Sequence, residues 1–338
     1  MLNPFLSEIP EIRPERPMLA LVLGNTMLST VPGISGAGPT PEKTLLTPNL
    51  DAELVTTGAI TSVAARPNTP TGCPTPASIT RSMVELTGLA PVIINAGLVH
   101  APTVPCLDVY GSPGGDPRKE DAVPQATSLF ERGEAIGRLL SQYSDLLVLG
   151  ECVPGGTTTA LCVLRALGYD ASVSSAFADN PLGLKDAVCR ETLARIDATG
   201  ARSPLDILRA AGDPMMPVAA GIASTYTGEV LFAGGTQMLA VAAVLKGLGK
   251  RVPRIATTVY VRDDPSAGFA RSVADLGTAA YYVDPDFAGI GHAGLARYCI
   301  GEVKEGTGAG GALMLAHLMG YSPEEIARKV FDFVERYA

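Results

Sequence analysis

The chain has 338 residues, 46% of them apolar and 18% charged, which is enough hydrophobic material for one large α/β domain or two ordinary ones and excludes a disordered protein. Its formal charge of −8, with no basic cluster beyond Lys250-Arg251, excludes a nucleic-acid scaffold, since affinity for a phosphate backbone comes from clustered Lys and Arg. The apolar runs, such as Met238 to Leu245, fall far short of a membrane span, and the N-terminal segment carries Glu8, Glu11 and Glu15 where a leader would be basic and then apolar. A cytoplasmic protein that contacts neither membrane nor nucleic acid is therefore expected. The six cysteines (Cys73, Cys106, Cys152, Cys162, Cys189, Cys299) show no C-x-x-C spacing and His100, His292 and His317 are scattered. Reduced core thiols are expected, with no metal and no cofactor.

After a proline-rich arm from Met1 to Pro17, the apolar run Met18 to Leu23 reads as a strand of a buried parallel sheet. Gly33 to Pro39 is a glycine-rich loop, assigned a structural or lid role because no helix start is evident behind it. A short helix is expected from Asn49 to Thr57, a strand from Ala59 to Ala65, and a proline-rich loop from Asn68 to Pro76. A helix capped by Ser78 then runs to Thr87, a strand covers Pro91 to Asn95, and Val99 to Gln125 is a long connection of the kind used for lids, binding loops or subunit contacts. Ala126 to Gln142 has helical spacing, and Asp145 to Gly150 reads as a strand.

That strand runs into Glu151-Cys-Val-Pro-Gly-Gly-Thr-Thr158 and a helix from Ala160 to Leu167. A strand, a glycine turn and a helix start rich in N–H and hydroxyl donors form the geometry that binds phosphate in open α/β sheets. It is neither a Walker loop, since no Lys follows the glycines, nor a dinucleotide fingerprint, since the G-x-G-x-x-G spacing is absent. Helices at Lys185 to Ile196, Pro204 to Ala211 and Pro217 to Ser224, with no strand between them, suggest a small helical subdomain or cap at about 185–225. The βα rhythm then resumes: strand Glu229 to Phe232, turn Gly234-Gly235-Thr236, helix Gln237 to Leu248, strand Ile255 to Tyr260, helix Ala267 to Asp275 and strand Ala279 to Val283. Repeated βα units predict an α/β fold with a mostly parallel sheet and helices on both faces, a Rossmann-like three-layer arrangement. Ser322-Pro-Glu-Glu325 has the capping-box pattern and opens a final helix to Tyr337.

Between these lies Gly301-Glu-Val-Lys-Glu-Gly-Thr-Gly-Ala-Gly-Gly311, followed by an apolar helix. Such a turn can hold an anion against backbone N–H groups with Glu305 at the mouth of the same pocket, and it can equally serve close packing of a helix on a sheet. Glu151, Glu302 and Glu305 beside glycine-rich turns are the candidates for chemistry. No Ser-His or Cys-His arrangement is apparent, so carboxylate-assisted chemistry on a phosphorylated small molecule is expected.

Four blocks resemble the nicotinate-nucleotide–dimethylbenzimidazole phosphoribosyltransferases. Glu151 to Thr158 is similar to the motif E-M-G-I-G-N-T-T, and Ser203-Pro-Leu-Asp-Ile-Leu-Arg209 to D-P-L-D-V-L-R. Gly234 to Ala243 resembles D-G-F-I-x-T-A-A-A-L, and Gly301 to Ala309 resembles L-G-E-G-S-G-A. The blocks run in order from about 126 to 320. Gly156 stands for the motif asparagine, Pro154 for an isoleucine, and the aspartate before Gly234 is missing, which marks a divergent branch. The resemblance implies a single phosphoribosyltransferase-like domain over 1–338, a homodimer, and transfer of the phosphoribosyl group of nicotinate mononucleotide to a benzimidazole-like or purine base in cobamide lower-ligand assembly. It implies Glu305 as general base and Glu151 as a second site carboxylate. Gly155, Gly156, Thr157, Thr158, Gly234, Gly235 and Thr236, with Gly306, Thr307 and Gly308, would hold phosphate and ribose. Two other readings stay open: a nucleotide-binding regulator without turnover, and an NAD-linked oxidoreductase, against which the absent fingerprint counts.

Overall fold

A computed structural model describes residues 4–337. Seven strands form one parallel sheet: β1 (Pro17–Gly24), β2 (Val92–Gly97), β3 (Leu107–Asp108), β4 (Leu146–Cys152), β5 (Glu229–Ala233), β6 (Arg254–Thr258) and β7 (Ala280–Val283). Their spatial order is β3-β2-β1-β4-β5-β6-β7, every pairing parallel. The chain moves outward in one direction from β1 to β3 and in the other from β4 to β7, so the topological switch lies between β1 and β4, where open α/β sheets bind ligands.

Among the described residues twelve helices connect and cover the strands: α1 (Pro41–Thr57), α2 (Pro76–Thr87), α3 (Ala126–Leu140), α4 (Gly156–Ala166), α5 (Leu182–Thr199), α6 (Pro204–Ala211), α7 (Met215–Thr225), α8 (Thr236–Gly247), the single turn α9 (Val259–Arg262), α10 (Phe269–Leu276), α11 (Ala309–Leu318) and α12 (Pro323–Val334). Period-two alternation divides the core in two. Ala20, Val22, Leu147, Leu149 and Phe232 face a layer containing α3 to α8 and α10, whereas Leu19, Leu21, Val148, Leu231 and Ala256 face α1, α2, α11 and α12. Helices α5 to α7, which occupy 182–225, share the first of these clusters with the sheet. Among the described residues no helix is long and apolar enough to cross a membrane.

The expected fold class is the one observed, with local corrections. Residues 59–65 are loop where a strand was expected: the N–H groups of Thr61 and Ser62 donate to the Glu53 carboxylate at 2.8 and 3.0 Å, which removes them from any ladder. A helix does begin directly behind the 33–39 loop. It is α1, capped by the Thr40 hydroxyl with Pro41 at its first position, and Pro48 inside it hid the N-terminal half from a pattern-based reading. Helix α2 starts at Pro76 after Thr75, and the hydroxyl of Ser78, expected to be the cap, is buried without a partner. Strand β6 ends at Thr258, so Val259 and Tyr260 belong to α9. The long connection between β2 and α3 contains β3, two residues long and too short for periodicity to show. The capping box at Ser322 and Glu325 is formed as expected.

Candidate active site

The carboxyl end of β4 opens into a cavity of about 540 Å³, within the size range of small-molecule sites. Three loops rim it: 34–39 after β1, 174–178 after α4, and 65–70 between α1 and α2. The strand edge and the 302–307 turn supply its floor.

Glu151 is the sixth residue of β4, one strand residue later than the pattern indicated, and shares the parity of Leu147 and Leu149. Its carboxylate therefore points toward α8, where it accepts from the Gln237 amide and from the Val153 N–H at 3.1 Å. Cys152 takes the opposite face and donates at 3.4 Å to Asp51 of α1. Glu305 accepts from the N–H groups of Gly306 and Gly310, each at 3.1 Å, and from the Thr257 hydroxyl at 3.4 Å. The first turn of α11 thus grips the carboxylate. A Cβ on Gly310 would meet both Glu305 Oε2 and the Thr257 backbone at 2.7 Å, so the glycine serves packing and the site together.

The turn is strained at one residue. Thr307, a β-branched residue, sits at φ 50°, in the left-handed region such side chains avoid. Two anchors hold it: its hydroxyl donates to Asp51 at 2.8 Å and its carbonyl accepts from Thr80 at 2.7 Å.

No cation pairs with these carboxylates among the described residues, and the cost of burial shows in their acidities. Burial raises Glu305 to about 7. Burial first, and then the charges of Asp213 and Glu305, raise Glu151 to about 8. Burial likewise carries Asp51 and Asp213 to about 6 each, against hydrogen bonds that oppose it. Two lysines stand near. Lys185 of α5, fully buried, donates to the Thr157 hydroxyl at 3.1 Å and to the Ser174 carbonyl at 2.6 Å, and burial, reinforced by the Lys304 charge, lowers it to about 7. Lys304 donates to the carbonyls of Ser175, Phe177 and Gly301 at 3.0, 3.2 and 2.8 Å, with Asp264 at 3.5 Å.

Of the residues singled out in the sequence, Glu151, Gly155, Thr157, Glu305, Gly306 and Thr307 line this one cavity. Gly156, Thr158, Gly234, Gly235, Thr236 and Gly308 do not. Gly156 packs on the Gln237 amide, Thr158 and Thr236 are buried, and Gly308 lies against Gly150. Gly234 and Gly235 lie just behind the wall: a Cβ there would sit 3.8 Å from Glu151 Oε1 and 3.8 Å from Ser174 Oγ respectively. Glu302 reaches the cavity mouth but is committed elsewhere, accepting from Arg297, Thr69 and Thr71, and these bonds hold its acidity below the usual carboxylate range against the burial that would raise it. Sequence reasoning missed Asp51, Lys185, Gln237 and the 174–177 segment. Gln237 directly follows the flagged turn and was the one within reach.

No family model matches the chain. Over 325 residues it is 44% identical to a UPF0284 protein of Thermococcus gammatolerans, covering 94% of this chain and 98% of that one, and it is equally similar to one of Pyrococcus furiosus. A UPF0284 protein of Methanosarcina mazei is 42% identical over 333 residues, 95% of each chain. Among solved structures, the nicotinate-nucleotide-dimethylbenzimidazole phosphoribosyltransferase of Thermus thermophilus superposes with a TM-score of 0.64 at 16% identity, over 94% of this chain and 84% of that one. This likeness is one of fold.

Proposed function

The chain belongs to the UPF0284 family, and from that premise and its unpaired site carboxylates we propose that it transfers the phosphoribosyl group of nicotinate mononucleotide to a heteroaromatic base, releasing nicotinate. The observation that carries this reading is that Glu151, buried, and Glu305, half-buried, line one cavity without a cation paired to either among the described residues, a cavity bounded on one side by the N-terminus of α4. The shared fold of the Thermus thermophilus enzyme supports it.

The chemistry follows from the charges. A pyridinium nucleotide brings a positive charge to a cluster that has an excess of negative groups. Its nicotinate departs with the electron pair of the breaking C1′–N bond and needs no general acid. The acceptor's ring nitrogen forms the new bond to C1′ from the opposite face, and the proton on its other nitrogen must go to a base. Glu305, with an acidity of about 7, is matched to that task at neutral pH. Glu151 stays protonated below about 8 in the empty site and offers a hydrogen-bond donor there; the arriving cation favours its ionised form and so its support of positive charge at C1′. The N-terminus of α4 at the cavity wall, with the Thr157 hydroxyl there and Lys185 behind it, forms an anion site for the 5′-phosphate.

The test is incubation with nicotinate mononucleotide and a panel of benzimidazoles and purines, following nicotinate and riboside phosphate by chromatography. Release of nicotinate that requires a base supports the transferase and names its acceptor. Calorimetric binding of the mononucleotide without release from any base contradicts it in favour of a regulator.

A further inference from the structure

The phosphate site and the strand-end carboxylates account for two parts of the cavity and leave a third. The cavity crosses the sheet edge from the layer of α4 and α5 to the layer of α1 and α2, with the end of β4 between. On the far side stands Arg66. Its side chain lines the cavity and is exposed, and among the described residues no ion pair or side-chain hydrogen bond engages it. The two lysines of the site differ in this respect, because both are spent on backbone carbonyls. Among the described residues Arg66 is the cavity's uncommitted cation.

The segment that carries it is held in place. Pro67, the next residue, is buried and its carbonyl accepts from Thr75 N–H at 2.8 Å. Asn68 bridges to Pro74 and donates its amide to the Tyr337 carbonyl at 3.1 Å. Thr69 donates its N–H to the Cys73 carbonyl at 2.8 Å and its hydroxyl to Glu302 at 2.7 Å. A guanidinium at the root of a pinned hairpin presents a planar fork of donors at a fixed place, the arrangement suited to bidentate capture of a carboxylate.

We propose that Arg66 binds the ring carboxylate of the pyridine nucleotide, so that this site selects the nicotinate form over the nicotinamide form. The inference rests on the proposed reading of the cavity and deepens it: phosphate at the α4 end, the pyridinium over Glu151 and Glu305, and the carboxylate on Arg66 at the opposite rim. The ligand class is a nucleotide with anionic groups at both ends and a cationic ring between them. Arg66 acts on binding and specificity and moves no proton.

Calorimetry with wild-type protein, Arg66→Ala and Arg66→Lys tests this against nicotinate mononucleotide, nicotinamide mononucleotide and ribose 5-phosphate. Wild type is expected to prefer the nicotinate form by roughly tenfold or more. Arg66→Ala abolishes the preference without changing affinity for ribose 5-phosphate, and Arg66→Lys retains part of it. A preference that survives in Arg66→Ala, a wild type without preference, or an equal loss for all three ligands overturns the role of Arg66 while leaving the transferase reading intact. Wild type that binds none of the three overturns both.

Discussion

Glu85 and Glu305 are both glutamates largely withdrawn from water, yet they end at opposite extremes of acidity. Glu85, on α2 at the sheet's helical periphery, would be raised by burial, but Arg336, Lys329 and Arg81 hydrogen-bond to it at 2.7 to 3.1 Å and take it down to about 2. Glu305 receives only N–H and hydroxyl donors, and burial carries it up to about 7. A carboxylate kept for architecture is given its cations by the fold. The site carboxylates lack theirs, and the proposed substrate supplies one. Glu302 sits within three residues of Glu305 and follows the Glu85 pattern, so the contrast is set by partners and not by location along the chain.

The comparison can be broken most forcefully by removing each charge and measuring turnover. Glu305→Gln is expected to lower kcat by roughly 10² to 10⁴ with little change in nucleotide affinity, while Glu85→Gln leaves kcat within about threefold. Equal losses in the two variants would erase the distinction.

Stability should separate the two regions by sign. The folded-state acidities of Glu151 and Glu305 lie above their ordinary 4.5, so the fold holds extra protons between about 4.5 and 8 and their contribution is lost as pH rises through that window. Replacing either with glutamine should flatten the decline, with a gain at pH 8 to 9 on the order of 2 to 3 kcal/mol by denaturant unfolding. Glu85 is depressed instead, so its contribution is present above 4.5 and lost as pH falls toward 2. Glu85→Gln should cost on the order of 1 to 2 kcal/mol at pH 7 and much less at pH 2. Parallel pH curves for the two sets of variants would contradict the account.

Smaller effects sharpen the picture. Thr307→Val removes the hydroxyl that Asp51 holds while keeping a branched residue at φ 50°, so a loss of about 1 to 2 kcal/mol in stability and a roughly tenfold fall in kcat are expected together. Loss of stability without any change in rate would mean that the turn does not position Glu305. At the surface, Glu229→Gln, which opens the exposed pair with Arg251, should change stability by no more than about 0.5 kcal/mol.

Much of this contrast was legible in the sequence, though unevenly. Buried parallel strands announce themselves as apolar runs, so β1, β2, β4, β5 and β7 were found close to their true limits; the glycine turn after β4 led to Glu151, and the glycine-rich turn before α11 led to Glu305. What set those glutamates apart from Glu302 was not legible, because partners decide it. Arg297 and two threonines from a distant loop neutralise Glu302, while Asp51 reaches Thr307 across 256 residues. Lys185 read as an ordinary helix residue until α5 packed on α4. The loop at 59–65 has the apolar content of a strand and was misassigned because Glu53, a side chain, captures its backbone donors.

The central claim is that Glu305 is left unpaired to serve as the proton acceptor. Its most direct test is the pH dependence of kcat/KM for nicotinate release in wild type and Glu305→Gln, using whichever base is accepted. The account predicts a limb rising with pH through about 7 in wild type and a low, flat profile over the same range in the variant. A rising limb that persists in Glu305→Gln would contradict it.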